Sequence, residues 1–507
     1  MEMFLGLVCS ALFASPGLSM KVVGASLFKN GYAVVVREAA LGGSGEKILA
    51  EVPNATLGTL WITASPGVKF QSVVATTVPT STESPVASLD EFLKANEGKT
   101  LGFKLSTAPD ALQRGKLLSY SGDTAILQTE NETFAINRGL IQWVVGDRGL
   151  QWKKTVQGRK PAYRFMTESP PDGKLYILSL ERGLTWAPAY LVDISDPKKL
   201  SITSKATILN ELTDLDNLEV RLITGFPNVP YITLPDPFSL SVSFDQFTGA
   251  LMNAGTPDAM RRSGGFGGQM MQNSAPMSSF SEAFNISNLP GIQSEDLFFY
   301  RQPGVTLKRG DRGFYILFKS ESAYEHIYTW DVADQVVDNA YRPNPQVPQD
   351  EVWHSLKFKN ESKQPWTTAP AVTVKDDQVL GQDMLSYTTV GTETLLKITK
   401  ALDVKAEASE IETSRAKESI VIAGYNYIEV TLKGTLQIRN LKSEAVKLRV
   451  KKELSGTVVS STDSPEVVAI PKGLQSINPT QCLTWHVDLK AGDKKELTYV
   501  YKVLIRP

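Results

Sequence analysis

The amino-acid sequence predicts a mainly β protein: antiparallel β-sandwich domains, a small SH3- or Sm-like barrel, one short helix and a disordered Gly/Met-rich loop. Three observations carry that expectation. Apolar and polar residues alternate at every second position in segments such as SITSKATILN (201–210) and LEVRL (218–222), as a strand with one dry and one wet face requires. A strand closing on an inward-facing asparagine, followed by a turn and a second strand, recurs at Asn210, Asn360 and Asn440. Between Lys99 and Val145 the apolar segments are short and separated by tight turns, which is the pattern of a small barrel.

Taken in order, residues 1–19 hold an apolar run from Phe4 to Ala14 and the small residues Gly17-Leu18-Ser19. That is the length of a secretory signal peptide and too short to span a bilayer. No Lys or Arg precedes the run, and Glu2 stands there instead. Residues 20–80 read as an N-terminal β domain, opened by a hairpin at Asn30-Gly31, where both residues tolerate the positive φ of a type I′ turn. Residues 81–150 combine a short helix, which follows a Thr/Ser/Pro-rich linker (TTVPTSTESPVA), with the small barrel. Ser88 and Glu91 stand at capping-box spacing, and Gly98 closes the helix. Residues 151–244 and 291–400 form the β-sandwich core, and 401–507 a C-terminal sandwich that includes a charged stretch at 403–418. The Gly-, Ser- and Met-rich segment 245–290 carries too little apolar surface to offset its ordering entropy and reads as a flexible insert.

Each inward asparagine sits where strand pairing stops, so its amide can bond backbone groups that would otherwise be buried and unpaired. The surrounding sequence carries the chain's one family resemblance. The runs RGLTWAPAYLVDI and ATILNELTDLDNLEVRLITGFPNVPY resemble the mucoidy inhibitor A family of bacterial proteins, whose C-terminal region is a domain of unknown function. EDLFFYRQPGVTLKRGDRGFYILF (295–318), HIYTWDV (326–332), PWTTAPAVTV (365–374) and LTYVYKVLIRP (497–507) extend the resemblance over residues 174–507 outside the insert. The N-terminal β domain resembles its counterpart in that family, but the long coiled coil of many members is absent. The resemblance implies an all-β fold and an envelope setting, and it transfers no catalytic residue.

Composition narrows the chemistry. With 53 basic against 54 acidic residues the chain has no basic excess with which to bind nucleic acid. Cys9 lies inside the expected leader, which leaves Cys482 alone in the mature chain and rules out a disulfide framework. No Walker loop, dinucleotide fingerprint or nucleophile elbow occurs, and no cofactor is expected. The three histidines, His326, His354 and His486, have no second His or Cys at ligand spacing, so no metal site is expected. The methionines of the insert (Met252, Met260, Met270, Met271, Met277) are soft enough for copper(I), but methionine in a mobile linker is the commoner case.

The remaining surface candidates are Trp186, Tyr190, Asp193, Asp196, Asp214 and Asp216. If the four aspartates met at one sandwich end they would suit calcium; aspartates in turns more often bond their own backbone. Trp186 and Tyr190, with Trp330 and Trp366, would line a groove if exposed, though such rings are usually core. No catalytic residue is assigned. The sequence therefore points to an exported, extracytoplasmic bacterial protein with a non-enzymatic binding or envelope-associated structural role. It would act on an envelope protein or glycan, with no nucleic-acid partner and no transmembrane span in the mature chain. The alternative is a hydrolase acting on envelope glycan or peptide through carboxylates at a sandwich-end cleft.

Overall fold

The computed structural model describes residues 17–107, 111–146, 149–225, 227–254, 293–294, 297–337, 340–341, 350–470 and 476–506. The chain is mainly β, with several antiparallel sheets and two helices among these residues. It divides into two compact units. Met1–Val23, Val35–Glu181 and Val229–Gly265 form the first; Gly24–Val34, Arg182–Asn228 and Phe266–Pro507 form the second.

In the first unit the longest feature is a ribbon. Lys69–Pro85 pairs antiparallel with Lys153–Glu168 from Lys153 against Pro85 to Glu168 against Lys69, and Gly45–Leu49 adds a third strand. The expected linker TTVPTSTESPVA is therefore mostly strand, and this corrects the sequence reading. By composition its Thr and Ser residues read as a linker, whereas β-branched Thr suits a two-faced ribbon. Leu49, Tyr163, Phe165, Leu175 and Ile177 form the core beside it. Leu18, inside the expected leader, donates its N–H to Ile48 O at 2.8 Å.

The predicted helix is Leu89–Ala95. Ser88 accepts from Glu91 N at its start, and the buried Asn96 rather than Gly98 closes it. The five short strands follow in one antiparallel sheet, ordered Ile141–Val145, Thr100–Leu105, Leu112–Ser121, Thr124–Gln128, Thr133–Asn137. Among the described residues no pairing joins the two outer strands, so a closed barrel is not shown. A second helix, Phe244–Ala254, occupies the start of the expected flexible insert. Ser243 and Gln246 cap it reciprocally, Gln246 N to Ser243 Oγ at 3.3 Å and Ser243 N to Gln246 Oε1 at 3.0 Å. The rest of the insert, including Met260, Met270, Met271 and Met277, lies outside the described residues, as does the apolar run from Phe4 to Ala14.

The second unit begins with the predicted hairpin, closed by Phe28 N to Tyr32 O at 2.9 Å. Only Gly31 takes positive φ, at 92°, so the turn is not type I′. Leu184–Asp193 pairs with Lys199–Asn210, which pairs in turn with Arg312–Val332. The continuing order through Val446–Ser455 and Thr480–Leu489 ends on Glu466–Ile470; the other end of this sheet is Gln378–Leu385. A second sheet holds Val404–Arg415, Tyr425–Asn440, Lys494–Ile505 and Thr457–Ser461. Trp330, Val450 and Trp485 of the first meet Leu432, Ile438, Leu497 and Tyr501 of the second in one dry layer, which makes this region a sandwich. A separate core gathers Val192, Ile202, Leu356, Phe358, Trp366 and Leu396. Not every pairing is antiparallel: Leu184–Asp193 with Ala369–Lys375 and Arg312–Val332 with Val446–Ser455 are parallel.

The three asparagines are fully buried and repeat one construction. Asn210 Nδ2 donates to Thr213 O (2.7 Å), Leu307 O (3.1 Å) and Lys308 O (3.1 Å). Asn440 donates to Glu444 O (2.8 Å), Leu489 O (3.3 Å) and Lys490 O (3.0 Å), and Asn360 to Gln364 O and Thr388 O at 3.0 Å each. Each thus ties its own turn to a second hairpin turn. In two cases that second turn has the sequence Leu-Lys-x-Gly-Asp, at 307–311 and 489–493.

Candidate functional site: a histidine pair on a sandwich sheet

Five of the six candidates read from the sequence make structural bonds. Trp186 and Tyr190 are 1% and 3% exposed; Trp186 Nε1 donates to Ile223 O at 3.1 Å and Tyr190 Oη to Thr367 O at 3.0 Å. Trp330 and Trp366 are fully buried, so these four rings line no groove. Asp193 accepts from Ser195 N and Oγ, Asp196 from Lys198 N and Asp214 from Arg309 N, while Asp216 is exposed. The aspartates do not converge. Asp193 lies opposite Ser201, whereas Asp214 follows Asn210 at the other end of that strand, roughly 30 Å away at 3.3 Å per residue.

The sheet brings together something the spacing did not reveal. His326 and His354 stand on Arg312–Val332 and Val352–Lys359, where His326 is paired with Leu356 and Tyr328 with His354. This register makes the two imidazoles diagonal neighbours on one face, with His354 Nε2 3.0 Å from His326 Nδ1. Sequence reasoning missed the pair because cross-strand proximity depends on register rather than on ligand spacing. Tyr328 stacks on His354 at 4.8 Å and 10°, and Tyr324 meets His326 edge-on at 5.4 Å. His354 is half-buried and His326 exposed.

Both rings are pushed toward the neutral form. Burial, then the charge of a protonated His326 and of Lys442, push His354 down to about 4. Burial and Lys375 lower His326, against a smaller opposing pull from Glu444. One N–H shared between the facing nitrogens satisfies that nitrogen of each ring, and a second proton there is repelled.

Two further clusters bury charge. In the first unit Arg37 bonds Glu181 and Ser179, and Ser179 Oγ donates to Glu181 at 2.7 Å. In the second, Lys452 Nζ lies 3.0 Å from Glu410, with side chains 1% and 2% exposed. Lys452 also donates to Ala333 O, and Glu410 accepts from Tyr499 and Tyr501 at 2.7 and 3.2 Å. These groups tie strands together. Among the described residues no three His, Cys, Asp or Glu side chains are grouped to hold a metal ion. No helix there is long and apolar enough to cross a membrane.

No protein-family model matches the chain, and no curated protein matches it. Among solved structures it is similar to Escherichia coli alpha-2-macroglobulin activated by porcine elastase, at 12% identity and a TM-score of 0.12. That match covers 94% of this chain and 33% of the other, so the chain spans about a third of that protein's length. A likeness so slight carries no argument.

Proposed function

We propose that the chain is a non-catalytic binding protein of the bacterial envelope, which engages its partner by adding a strand to a free sheet edge. One observation carries this reading. Glu466–Ile470, of sequence EVVAI, ends its sheet, paired on one side only among the described residues, and exposes both Val467 (44%) and Val468 (48%). An edge with apolar side chains exposed on both faces and a single charge lacks the usual protection against pairing with another chain. Such an edge recruits an extended partner through main-chain hydrogen bonds. The envelope setting, export through the leader and membership of the mucoidy inhibitor A family are part of the proposal, supported by the apolar N-terminal run and the shared motifs.

The test is a photo-crosslinking amino acid at Val468, with a control at exposed Lys405 on another strand. In envelope fractions the first should give a discrete crosslinked protein that Val467→Lys abolishes. Equal crosslinking from both positions would overturn edge recruitment. Finding the chain solely in the cytosol, unprocessed, would overturn export.

A further inference from the structure

We infer that His326 and His354 form a two-imidazole chelate for one divalent transition-metal ion, copper(II) ahead of zinc. The geometry matches the chemistry. Two imidazole nitrogens bound cis to one metal, each at 2.0–2.1 Å, stand about 2.9 Å apart when the angle between the bonds is near a right angle. His354 Nε2 and His326 Nδ1 stand 3.0 Å apart already. The metal would lie about 1.5 Å to one side of the line on which the shared proton sits, so the spacing between the nitrogens needs almost no change, while both rings reorient to aim their lone pairs at it.

Three features make the pair a binding site rather than a packing accident. The rings are held on adjacent strands by backbone pairing, so the two ligands are pre-positioned and lose little freedom on binding. Tyr328 stacked against His354 fixes that ring's plane. The third is access: His326 is exposed, so the ion arrives from solvent and keeps water in its remaining positions. With only two protein nitrogens the site favours the tetragonal preference and higher affinity of copper(II) over zinc, which wants three or four protein ligands. The ammonium groups of Lys375 and Lys442 weaken binding of a cation here, and Glu444 opposes them.

On binding, both facing nitrogens give their lone pairs to the metal, and each ring keeps its hydrogen on the outer nitrogen, His354 Nδ1 and His326 Nε2. One ring changes tautomer and no net proton leaves a neutral pair. At lower pH protons compete for the same lone pairs.

The experiment titrates the full chain, stripped of metal, with copper sulfate. It is followed by electron paramagnetic resonance and by thermal melting. The expected result is one copper(II) per chain with hyperfine coupling to two imidazole nitrogens and a raised melting temperature. His326→Gln alters an exposed ring, and His354→Phe preserves the stack on Tyr328. Each should lower copper affinity at least about tenfold, the loss of chelation, while His486→Ala changes nothing. If copper binds equally well to both pair variants, or the wild type shows no coupling to two imidazoles, the inference is wrong. Should His354→Phe fold poorly, His326→Gln alone decides the matter.

Discussion

The Arg37–Glu181 and Lys452–Glu410 pairs, one in each unit, solve one problem with different residues. Arg37 reaches both Glu181 and Ser179 from a single guanidinium nitrogen, and Ser179 in turn donates to the same carboxylate. Lys452 is a compact point charge, and it divides its donors between Glu410 and Ala333 O. Its carboxylate is completed by two tyrosine hydroxyls, and its charge lies 5.8 Å over the Tyr499 ring. Tyrosine is used in opposite ways. In the second unit both hydroxyls serve the buried carboxylate. In the first, the buried Tyr163 hydroxyl has no hydrogen-bond partner among the described residues, and burial, Asp236 and Glu181 all hold it protonated. A buried pair is tolerated where the remaining oxygens of its carboxylate are filled, and the residue that fills them differs from site to site.

The largest effect should come from breaking the lysine pair. Lys452→Met leaves Glu410 buried without its cation and should cost about 4–5 kcal/mol, and Arg37→Met about 3 kcal/mol because Ser179 still bonds Glu181. Urea unfolding of the two variants measures both, and the reverse ranking would break the comparison. Next, Glu410→Gln added to Lys452→Met should recover most of the loss, since a neutral amide oxygen still accepts from the tyrosines. Acid separates the units. All three histidines belong to the second unit. His354 ionises near 6.5 when unfolded and near 4 when folded, so the unfolded chain takes up the proton first. Stability of that unit is complete above about pH 6.5 and falls as pH drops toward 4. Asp90, Glu91 and Glu97 of the first unit are lowered carboxylates, which act only further down. Hydrogen exchange at pH 7 and pH 5 should show faster opening in the second unit only, and His354→Phe should reduce the difference. The smallest effects should differ in sign: Tyr501→Phe destabilises by about 1 kcal/mol, whereas Tyr163→Phe is neutral or slightly stabilising. Calorimetric melting would detect either.

Much of the fold was legible because side-chain alternation is a local signal. The strand ending at Asn210, its two counterparts and the five strands after Lys99 all announce themselves over a few residues. Local signals also misled where composition was weighed above pattern. Thr and Ser residues of the Lys69–Pro85 strand looked like a linker, and the Ser243–Gln246 capping pair went unread inside a Gly/Met-rich stretch. Charge alone marks the stretch 403–418 as solvent-facing; most of it is the edge strand Val404–Arg415, yet the Glu410 side chain on it is buried. What joins distant residues could not be read at all. Glu410 meets Lys452, Arg37 meets Glu181 and His326 meets His354 only after register is set, and nothing near any of them in the chain marks the partner.

One strand has a consequence for how this protein comes apart. Arg312–Val332 pairs with Lys199–Asn210 through its first half and with Val352–Lys359 and Val446–Ser455 through its second. Its Phe318 and Tyr324 pack on one apolar core, and Tyr328 and Trp330 belong to another. Neither core can melt without stripping a wall from its neighbour, so a calorimeter should record a single endotherm for both. Residues 401–507 excised on their own would lack Trp330 and Val352, and should emerge as a molten, protease-sensitive fragment.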